Sequence, residues 1–182
     1  NLHSNRGVRN FWLVDEDGQA FSVSGASARQ EADRFTPAQD DSRLTAGLMW
    51  QTVERTAQDL GLDTEVTAFC PRQDNVEILC ITVRNQQEQP RWLTPIAAVP
   101  LYGRSADNIR DHRNVTSMLH RIWTTENGVM VRPTMSFDER GHRPNHKVYY
   151  VEGFGPEGQK PEAFYPTVES FLGEGGTYLH PR

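Results

Sequence analysis

One stretch of the sequence concentrates side chains that could bind a polar ligand. Of the ten residues at 104–113, seven are charged, histidine or asparagine. These seven are Arg104, Asp107, Asn108, Arg110, Asp111, His112 and Arg113. Carboxylate, amide and guanidinium groups offer the paired hydrogen bonds that sugar hydroxyls need, so the stretch is a candidate substrate-binding loop. The alternative is an internal network, in which the arginines brace a long loop through Asp107 and Asp111.

A second polar stretch, at 136–143, follows a predicted strand and contains two neighbouring acids, Asp138 and Glu139. Adjacent residues on a strand face opposite sides of the sheet. A general acid and a general base that act on one bond need facing carboxylates, so this pair does not indicate a hydrolase.

Metal and nucleophile chemistry is not indicated either. His142 and His146 are four residues apart, a spacing that suits zinc on a helix, but Pro144 lies between them and no glutamate follows His142. The chain contains no Gly-x-Ser-x-Gly, Walker or dinucleotide-binding motif. We therefore expect no metal site and no self-sufficient catalytic set.

The basic residues are unevenly distributed. The chain has a formal net charge of -5 and a pI of 5.7, which argues against a general nucleic-acid-binding protein. The segment 104–147 nevertheless contains eight Lys or Arg against five Asp or Glu, together with four of the six histidines. A local cationic region can attract an anion such as phosphate or a sugar phosphate. The alternative is a solvated surface whose charges pair with one another.

The elements that must position these residues are mostly strands. Short runs of branched and aromatic residues alternate with turn signals, the pattern of an antiparallel sandwich or barrel. The predicted strands are 11–14, 20–23, 64–69, 76–83, 93–101, 118–126, 129–137 and 147–152. Pro95 and Pro100 place the strand at 93–101 at a sheet edge or a bulge. Asn127-Gly128 predicts a type I′ turn between 118–126 and 129–137.

Little helix is expected. Residues 41–60 include apolar residues at roughly helical spacing, but their β-branched residues favour a strand, which would pair with 64–69. Ser105 is a candidate N-cap for a helical turn over 106–113.

The tryptophans have two interpretations. Trp12, Trp50, Trp92 and Trp123 could stack on sugar rings, but tryptophans on strands are more often core residues.

The two cysteines are expected to be reduced thiols. If Cys70 pairs with Val76 across the turn at 71–75, Cys80 lies opposite Val66, and this register leaves no disulfide geometry. Cys80 lies within a predicted buried strand and would act as a small hydrophobic residue. Reduced thiols fit a cytoplasmic protein.

Length and composition favour one domain. The chain has 182 residues, of which 36% are hydrophobic and 24% are charged. No apolar run approaches the about 18–20 residues that a membrane helix needs, and the polar opening is unlike a secretory leader. Because the first residue is Asn1 and not methionine, we expect a fragment of a longer chain. The expectation is one cytoplasmic β domain over 1–182, with no nucleic-acid or membrane partner.

Three stretches together resemble one family. They are 103–113, with Gly-Arg-Ser-Ala-Asp-Asn followed by Asp-His-Arg, 131–143, with Val-Arg-Pro-Thr-Met-Ser-Phe-Asp-Glu-Arg-Gly-His-Arg, and 165–176, with Tyr-Pro-Thr-Val-Glu-Ser-Phe-Leu-Gly-Glu-Gly-Gly. They are similar to the N-terminal supersandwich region of glycoside hydrolase family 94, formerly grouped as glycosyltransferase family 36. The nearest branch contains β-1,2-oligoglucan phosphorylases and the C-terminal part of cyclic β-1,2-glucan synthases.

The resemblance implies a large antiparallel β-sandwich, similar to galactose mutarotase, that precedes a helical linker and an (α/α)6 barrel. It implies a parent enzyme that reversibly cleaves a β-glucoside with inorganic phosphate, its co-substrate, to give an α-sugar 1-phosphate. No other cofactor is implied. Because the family's catalytic acid lies in the barrel, no residue of this chain inherits that role. The family's sandwich is usually longer, which implies strands before Asn1.

The same resemblance implies partners and candidate loops. The family's sandwich packs on the barrel, supports homodimers and can lend loops to an active site that binds a β-glucan oligosaccharide or a sugar phosphate. The candidate loops here are 104–113 and 140–146, the latter with Arg140, His142 and Arg143. Two alternatives stay open. One is a stand-alone carbohydrate-binding or mutarotase-like module, and the other is a structural dimerisation domain.

Overall fold

The computed structural model describes residues 9–101, 120–138 and 141–182, with the backbone alone at 136–138 and 142. Its strands are β1 (Asn10–Val14), β2 (Ala20–Ser22), β3 (Asp41–Gly47), β4 (Trp50–Ala57), β5 (Leu62–Phe69), β6 (Ile78–Asn85), β7 (Thr94–Ala98), β8 (His120–Thr124), β9 (Gly128–Pro133), β10 (Met135–Asp138), β11 (Gly141–Pro144) and β12 (Tyr149–Glu152). Its helices are α1 (Ala28–Ala32), α2 (Val168–Leu172) and a 3-10 turn at Gln58–Leu60. All strand pairs among the described residues are antiparallel, which confirms the predicted all-β sandwich with little helix.

The α-helices of the described ranges each contain five residues. Within those ranges, no helix is long and apolar enough to cross a membrane.

The chain divides into two compact units, Val8–Ala98 and Val99–Arg182, which we call the first and the second unit. The expectation of one domain over 1–182 stays a prediction. The helical turn predicted at 106–113 lies outside the described residues.

The first unit is built from two sheets, with strand orders β2-β1-β7 and β3-β4-β5-β6. Their side chains form one apolar cluster, because alternate residues of β5 face the core and are buried while their neighbours are not. The cluster consists of Leu13, Phe21, Val23, Ala57, Leu60, Leu62 and Val66. Strand β7 lies at a sheet edge, as its prolines predict.

Strand β3 is the most exposed strand of the first unit. It lies at the edge of the four-stranded sheet, and all seven of its residues are exposed. Residues 41–60 could have formed a helix or a strand, and the structure shows strands. Strand β4 pairs with β5 from Trp50–Phe69 to Ala57–Leu62.

The predicted register between β5 and β6 is wrong by one residue. Val66 lies opposite Ile81, and Cys80 lies opposite Thr67. Cys70 does not pair with Val76, because the observed register runs from Leu62–Asn85 to Phe69–Ile78. The Cys70 backbone N–H donates to the Met49 carbonyl at 3.0 Å. A shift of one residue moves a side chain to the opposite face, so Cys80 is exposed and not buried. Both cysteines are free thiols, as expected.

Buried polar contacts hold the segment that follows β2. Arg55 donates from Nη1 to the carbonyl oxygens of Ser22 at 2.9 Å and Gly25 at 2.7 Å. Asn10 donates from Nδ2 to the Ala26 carbonyl at 2.7 Å. Ser27 then begins α1 through a capping box with Gln30.

The second unit contains a three-stranded sheet of order β12-β9-β8 and the two-stranded sheet β10-β11. The hairpin turn between β8 and β9 is displaced from its predicted position. Thr125 donates from its backbone N–H to the Gly128 carbonyl at 2.8 Å, so the turn lies at Glu126 and Asn127. Gly128 begins β9, where a Cβ atom would collide with the Val151 carbonyl of β12. The close approach of β12 therefore requires the glycine.

Candidate functional site

Most of the predicted binding residues belong to parts of the chain that the structure does not describe. Arg104, Asp107, Asn108, Arg110, Asp111, His112, Arg113 and Arg140 lie outside the described residues. His142 is in β11 opposite Phe137, and only its backbone is described. Arg143 is exposed in the same strand, opposite Ser136. Their shared role as a binding loop stays a prediction.

The strand conformation of His142 bears on the zinc spacing. Because β11 is a strand, His142 and His146 do not share the face of a helix. Within the described ranges, no group of three or more His, Cys, Asp or Glu side chains is arranged to hold a metal ion.

Arg121 and Arg132, two basic residues of the cationic segment, lie on β8 and β9 of the sheet β12-β9-β8, and the two sides of β9 differ in burial. One face carries Val131, which is 4% exposed, and Pro133, which is less than 2% exposed. On the opposite face, which alternates with this one along β9, Met130 is half-buried and Arg132 is exposed, whereas Gly128 is buried. We call this second face the aromatic–arginine face, and it is defined by the five residues described next.

A row of large side chains crosses the aromatic–arginine face. Trp123 lies opposite Met130, and Met130 lies opposite Tyr150. Trp123 is 39% exposed and Tyr150 is 50% exposed. Their strands flank β9, so at the usual strand spacing the two aromatic residues are about 10 Å apart. Partly exposed aromatic rings on a rigid sheet can stack on the apolar face of a sugar ring while its hydroxyls contact polar neighbours.

The next row of this face consists of two arginines, Arg121 and Arg132, which lie directly opposite each other and are both exposed. Like charges at directly opposite positions destabilise a strand pair. Neither guanidinium forms an ion pair with any residue that the structure describes. The carboxylate of Glu152 shares the face, but it lies opposite Gly128, four residues along β9 from Arg132. That separation is about 13 Å along the strand.

This arrangement suits binding and not bond cleavage. Two guanidiniums can hold an anion or hydroxyl oxygens through charge-assisted hydrogen bonds. Among the described strand residues, Glu152 is the single carboxylate on this face. A general acid and a general base that act on one bond require two carboxylates.

The four tryptophans differ in burial. Trp12 is 4% exposed and belongs to the core. Trp50, Trp92 and Trp123 are substantially exposed, so the expectation that strand tryptophans are core residues is wrong for Trp50 and Trp123. Trp92 is 76% exposed and lies in the loop before β7.

Trp50 belongs to a second apolar row, on the outer face of the first unit. It lies opposite Phe69, which lies opposite Ile78, and all three side chains are exposed. The hairpin tip beside this row carries Leu48 and Met49, which are also exposed. No arginine pair accompanies this row in the four-stranded sheet, where Arg43 lies opposite Glu54.

The first unit also contains a cavity of about 320 Å³. Its apolar wall consists of Val53, Val66, Ala68 and Leu79, and its polar wall includes Arg9, Ser24 and Gln51. Arg9 already forms an ion pair with Glu77 at 2.5 Å. The cavity contains no aromatic ring and no unpaired cation, so it is a weaker candidate than the aromatic–arginine face.

Sequence reasoning identified Trp123 but missed Arg121, Arg132 and Tyr150 as members of one face. Strict alternation does place Arg121 and Trp123 on the same side of β8. The pairing of Arg121 with Arg132 was not predictable from the expected turn, because a turn at Asn127-Gly128 would have placed Arg132 opposite Trp123.

One comparison with known proteins identifies a family. The family model described as glycosyl hydrolase 94, supersandwich domain, matches residues 2–182. No curated protein matches the chain.

Proposed function

This chain belongs to the glycosyl hydrolase 94 supersandwich-domain family, and from that premise we propose that it is the non-catalytic sandwich domain of a glycoside phosphorylase. The parent enzyme would cleave a β-glucoside with inorganic phosphate to give an α-sugar 1-phosphate, and run the same reaction in reverse. Its catalytic carboxylic acid and its phosphate-binding groups would lie on an (α/α)6 barrel. The β-1,2-glucan branch of the family is the proposed substrate class.

The domain would act by contacting the glucan. The observation that carries this proposal is the aromatic–arginine face, where Trp123 and Tyr150 are exposed in one row of the sheet, next to the row of two arginines. Rings held about 10 Å apart can support successive parts of one oligosaccharide. The loops 104–113 and 140–146 would extend the contact with polar groups.

The proposed partners follow from the family. The sandwich would pack on the barrel of its parent enzyme, work in the cytoplasm, and need no cofactor besides the inorganic phosphate that the parent consumes. No nucleic acid and no membrane takes part in this proposal.

The test uses the 182-residue chain as it stands. Titration calorimetry with β-1,2-linked gluco-oligosaccharides should give binding in the millimolar range, which corresponds to about -4 kcal/mol. The double variant Trp123→Ala with Tyr150→Ala should weaken binding at least tenfold, that is by about 1.4 kcal/mol. Trp92→Ala is the matched control, because it removes an exposed tryptophan from the first unit.

Three results would overturn the proposal. Release of a sugar 1-phosphate from oligosaccharide and phosphate by the pure chain would contradict the non-catalytic role. Absence of oligosaccharide binding, or equal losses in the Trp92→Ala and Trp123→Ala variants, would contradict the role of the aromatic–arginine face.

The dimerisation alternative is favoured by the row of Trp50, Phe69 and Ile78. Exposed apolar residues on one sheet face are typical of protein contacts. Analytical ultracentrifugation should then show a dimer that Trp50→Ser dissociates and Trp92→Ser does not. A monomer at every concentration would exclude this function.

A further inference from the structure

We propose that the aromatic–arginine face binds a phosphorylated saccharide, with the phosphate between Arg121 and Arg132 and the sugar ring against Trp123 and Tyr150. This inference rests on the proposed carbohydrate contact and names the chemistry of its ligand. It assigns a site to the sandwich domain itself.

The arginine pair carries the inference. Opposite residues of an antiparallel pair have Cβ atoms about 4.5–5.5 Å apart, so Arg121 and Arg132 bring two positive charges together. Glu152, on the same face, is about 13 Å from Arg132 along the strand. That distance exceeds the Debye length of about 8 Å at physiological ionic strength, so Glu152 does little to compensate the pair. An anion between the guanidiniums would remove the repulsion.

The charge of the pair favours phosphate over carboxylate. A phosphate monoester carries about -1.5 to -2 charges at neutral pH and has three acceptor oxygens. It can neutralise both arginines and accept from both planar guanidinium groups. A single carboxylate would leave one positive charge uncompensated.

The neighbouring row favours a sugar as the carrier of that phosphate. The arginine row and the row of Trp123, Met130 and Tyr150 are two residues apart along β8 and β9, which corresponds to about 7 Å. One ligand can therefore contact both rows if it joins an anionic group to a ring with an apolar face. Met130 is half-buried between the aromatic residues and gives the row a continuous apolar base.

The experiment compares four probes on the intact chain at low ionic strength. They are α-glucose 1-phosphate, glucose, inorganic phosphate and glucuronate, with binding measured by titration calorimetry. Glucose 1-phosphate should bind at least tenfold more tightly than each of the other three, and added salt should weaken that preference. Arg121→Gln and Arg132→Gln should each reduce glucose 1-phosphate binding at least fivefold and should reduce glucose binding much less. Trp123→Ala should weaken the binding of both glucose and glucose 1-phosphate.

The matched control is Arg43→Gln, which removes an exposed arginine from β3 of the first unit. It should leave all four affinities unchanged. A second measurement is independent of ligand. Because Arg132→Gln removes the repulsion within the pair, it should raise the melting temperature of the free chain by about 1–3 °C.

The outcomes separate this inference from the function on which it rests. Equal binding of glucose and glucose 1-phosphate would overturn the phosphate assignment and leave the carbohydrate contact intact. Inorganic phosphate binding as tightly as glucose 1-phosphate would overturn the saccharide part, and equal binding of glucuronate would overturn the choice of phosphate. Absence of binding by any of the sugars and by β-1,2-linked oligosaccharides would overturn both proposals.

Discussion

Arg55 donates a hydrogen bond from Nη1 to the carbonyl oxygen of Gly25 at 2.7 Å. The same atom donates to Ser22, so one guanidinium on β4 holds the segment that follows β2 in the other sheet of the first unit. Burial lowers the pKa of Arg55 from its usual value, and the charge of Asp40 opposes that decrease. The side chain therefore joins the two sheets through polar contacts, beside the apolar cluster between them.

Arg55→Leu should reduce the free energy of unfolding by about 2–3 kcal/mol, because two carbonyl acceptors lose a charged donor in a partly buried place. Urea denaturation followed by circular dichroism measures this loss. Arg84→Gln is the control, since Arg84 is exposed on β6 and its loss should change stability by no more than about 0.5 kcal/mol. Equal effects of the two substitutions would show that the contacts of Arg55 contribute little.

Gly128→Ala should destabilise the second unit by about 1–3 kcal/mol, because the added Cβ would meet the Val151 carbonyl and separate β9 from β12. Hydrogen exchange of the β12 amides and thermal melting both measure this effect. Gly153→Ala is a close control, since its Cβ would lie at an ordinary 3.6 Å from Pro161. If Gly128→Ala melts at the same temperature as Gly153→Ala, the close approach of β12 is not needed for stability.

Substitution of Trp12 and of Trp92 should have very different effects on the free energy of unfolding. Trp12→Ala removes a core side chain that is 4% exposed, and it should cost about 3–5 kcal/mol. Trp92→Ala removes a side chain that is 76% exposed, and it should change stability by no more than about 0.5 kcal/mol. Guanidinium denaturation of the two variants measures both values. A large loss for Trp92→Ala would mean that this side chain is buried in solution.

The thiols should differ in reactivity. Cys80 is exposed on the outer face of the four-stranded sheet, whereas Cys70 is partly buried at the end of β5. An uncharged alkylating reagent should therefore modify Cys80 several-fold faster than Cys70 in the native chain, because access limits the reaction. Mass spectrometry of digested samples measures the two rates, and Cys80→Ser removes the fast phase. If Cys80 reacts only after denaturation, it lies in the core and the register of β5 and β6 is as the sequence predicted.

Local patterns were sufficient to predict the class of the fold and several of its elements. The turn at Asp15–Gly18 and the flanking apolar runs indicate the β1–β2 hairpin, and the prolines of β7 indicate its edge position. These features depend on residues close together in the sequence. Helix α1 was also readable in principle, because Ser27 and Gln30 form a capping box, but its five residues are too few to show helical periodicity.

Register was harder to predict, because it depends on contacts between distant residues. The β5–β6 register places Cys80 opposite Thr67, on the exposed face, and the turn residues at 71–75 alone do not specify this pairing. Gly128 was interpreted as a turn residue because Asn-Gly is a strong hairpin signal, but its absent side chain serves the approach of β12. The arginine pair of the candidate site depends on that same displaced turn, so it became visible only with the strand pairing.

Strand β3 has a consequence for how the first unit unfolds. It is hydrogen-bonded on one side only, to β4, and none of its seven side chains is buried. If β3 detached, the apolar cluster would stay buried. The free energy needed to detach β3 is therefore well below the free energy of global unfolding. The first unit is therefore not equally stable throughout. Amide protons of β3 should exchange with solvent through local opening, whereas those of β5 should exchange only when the whole unit unfolds.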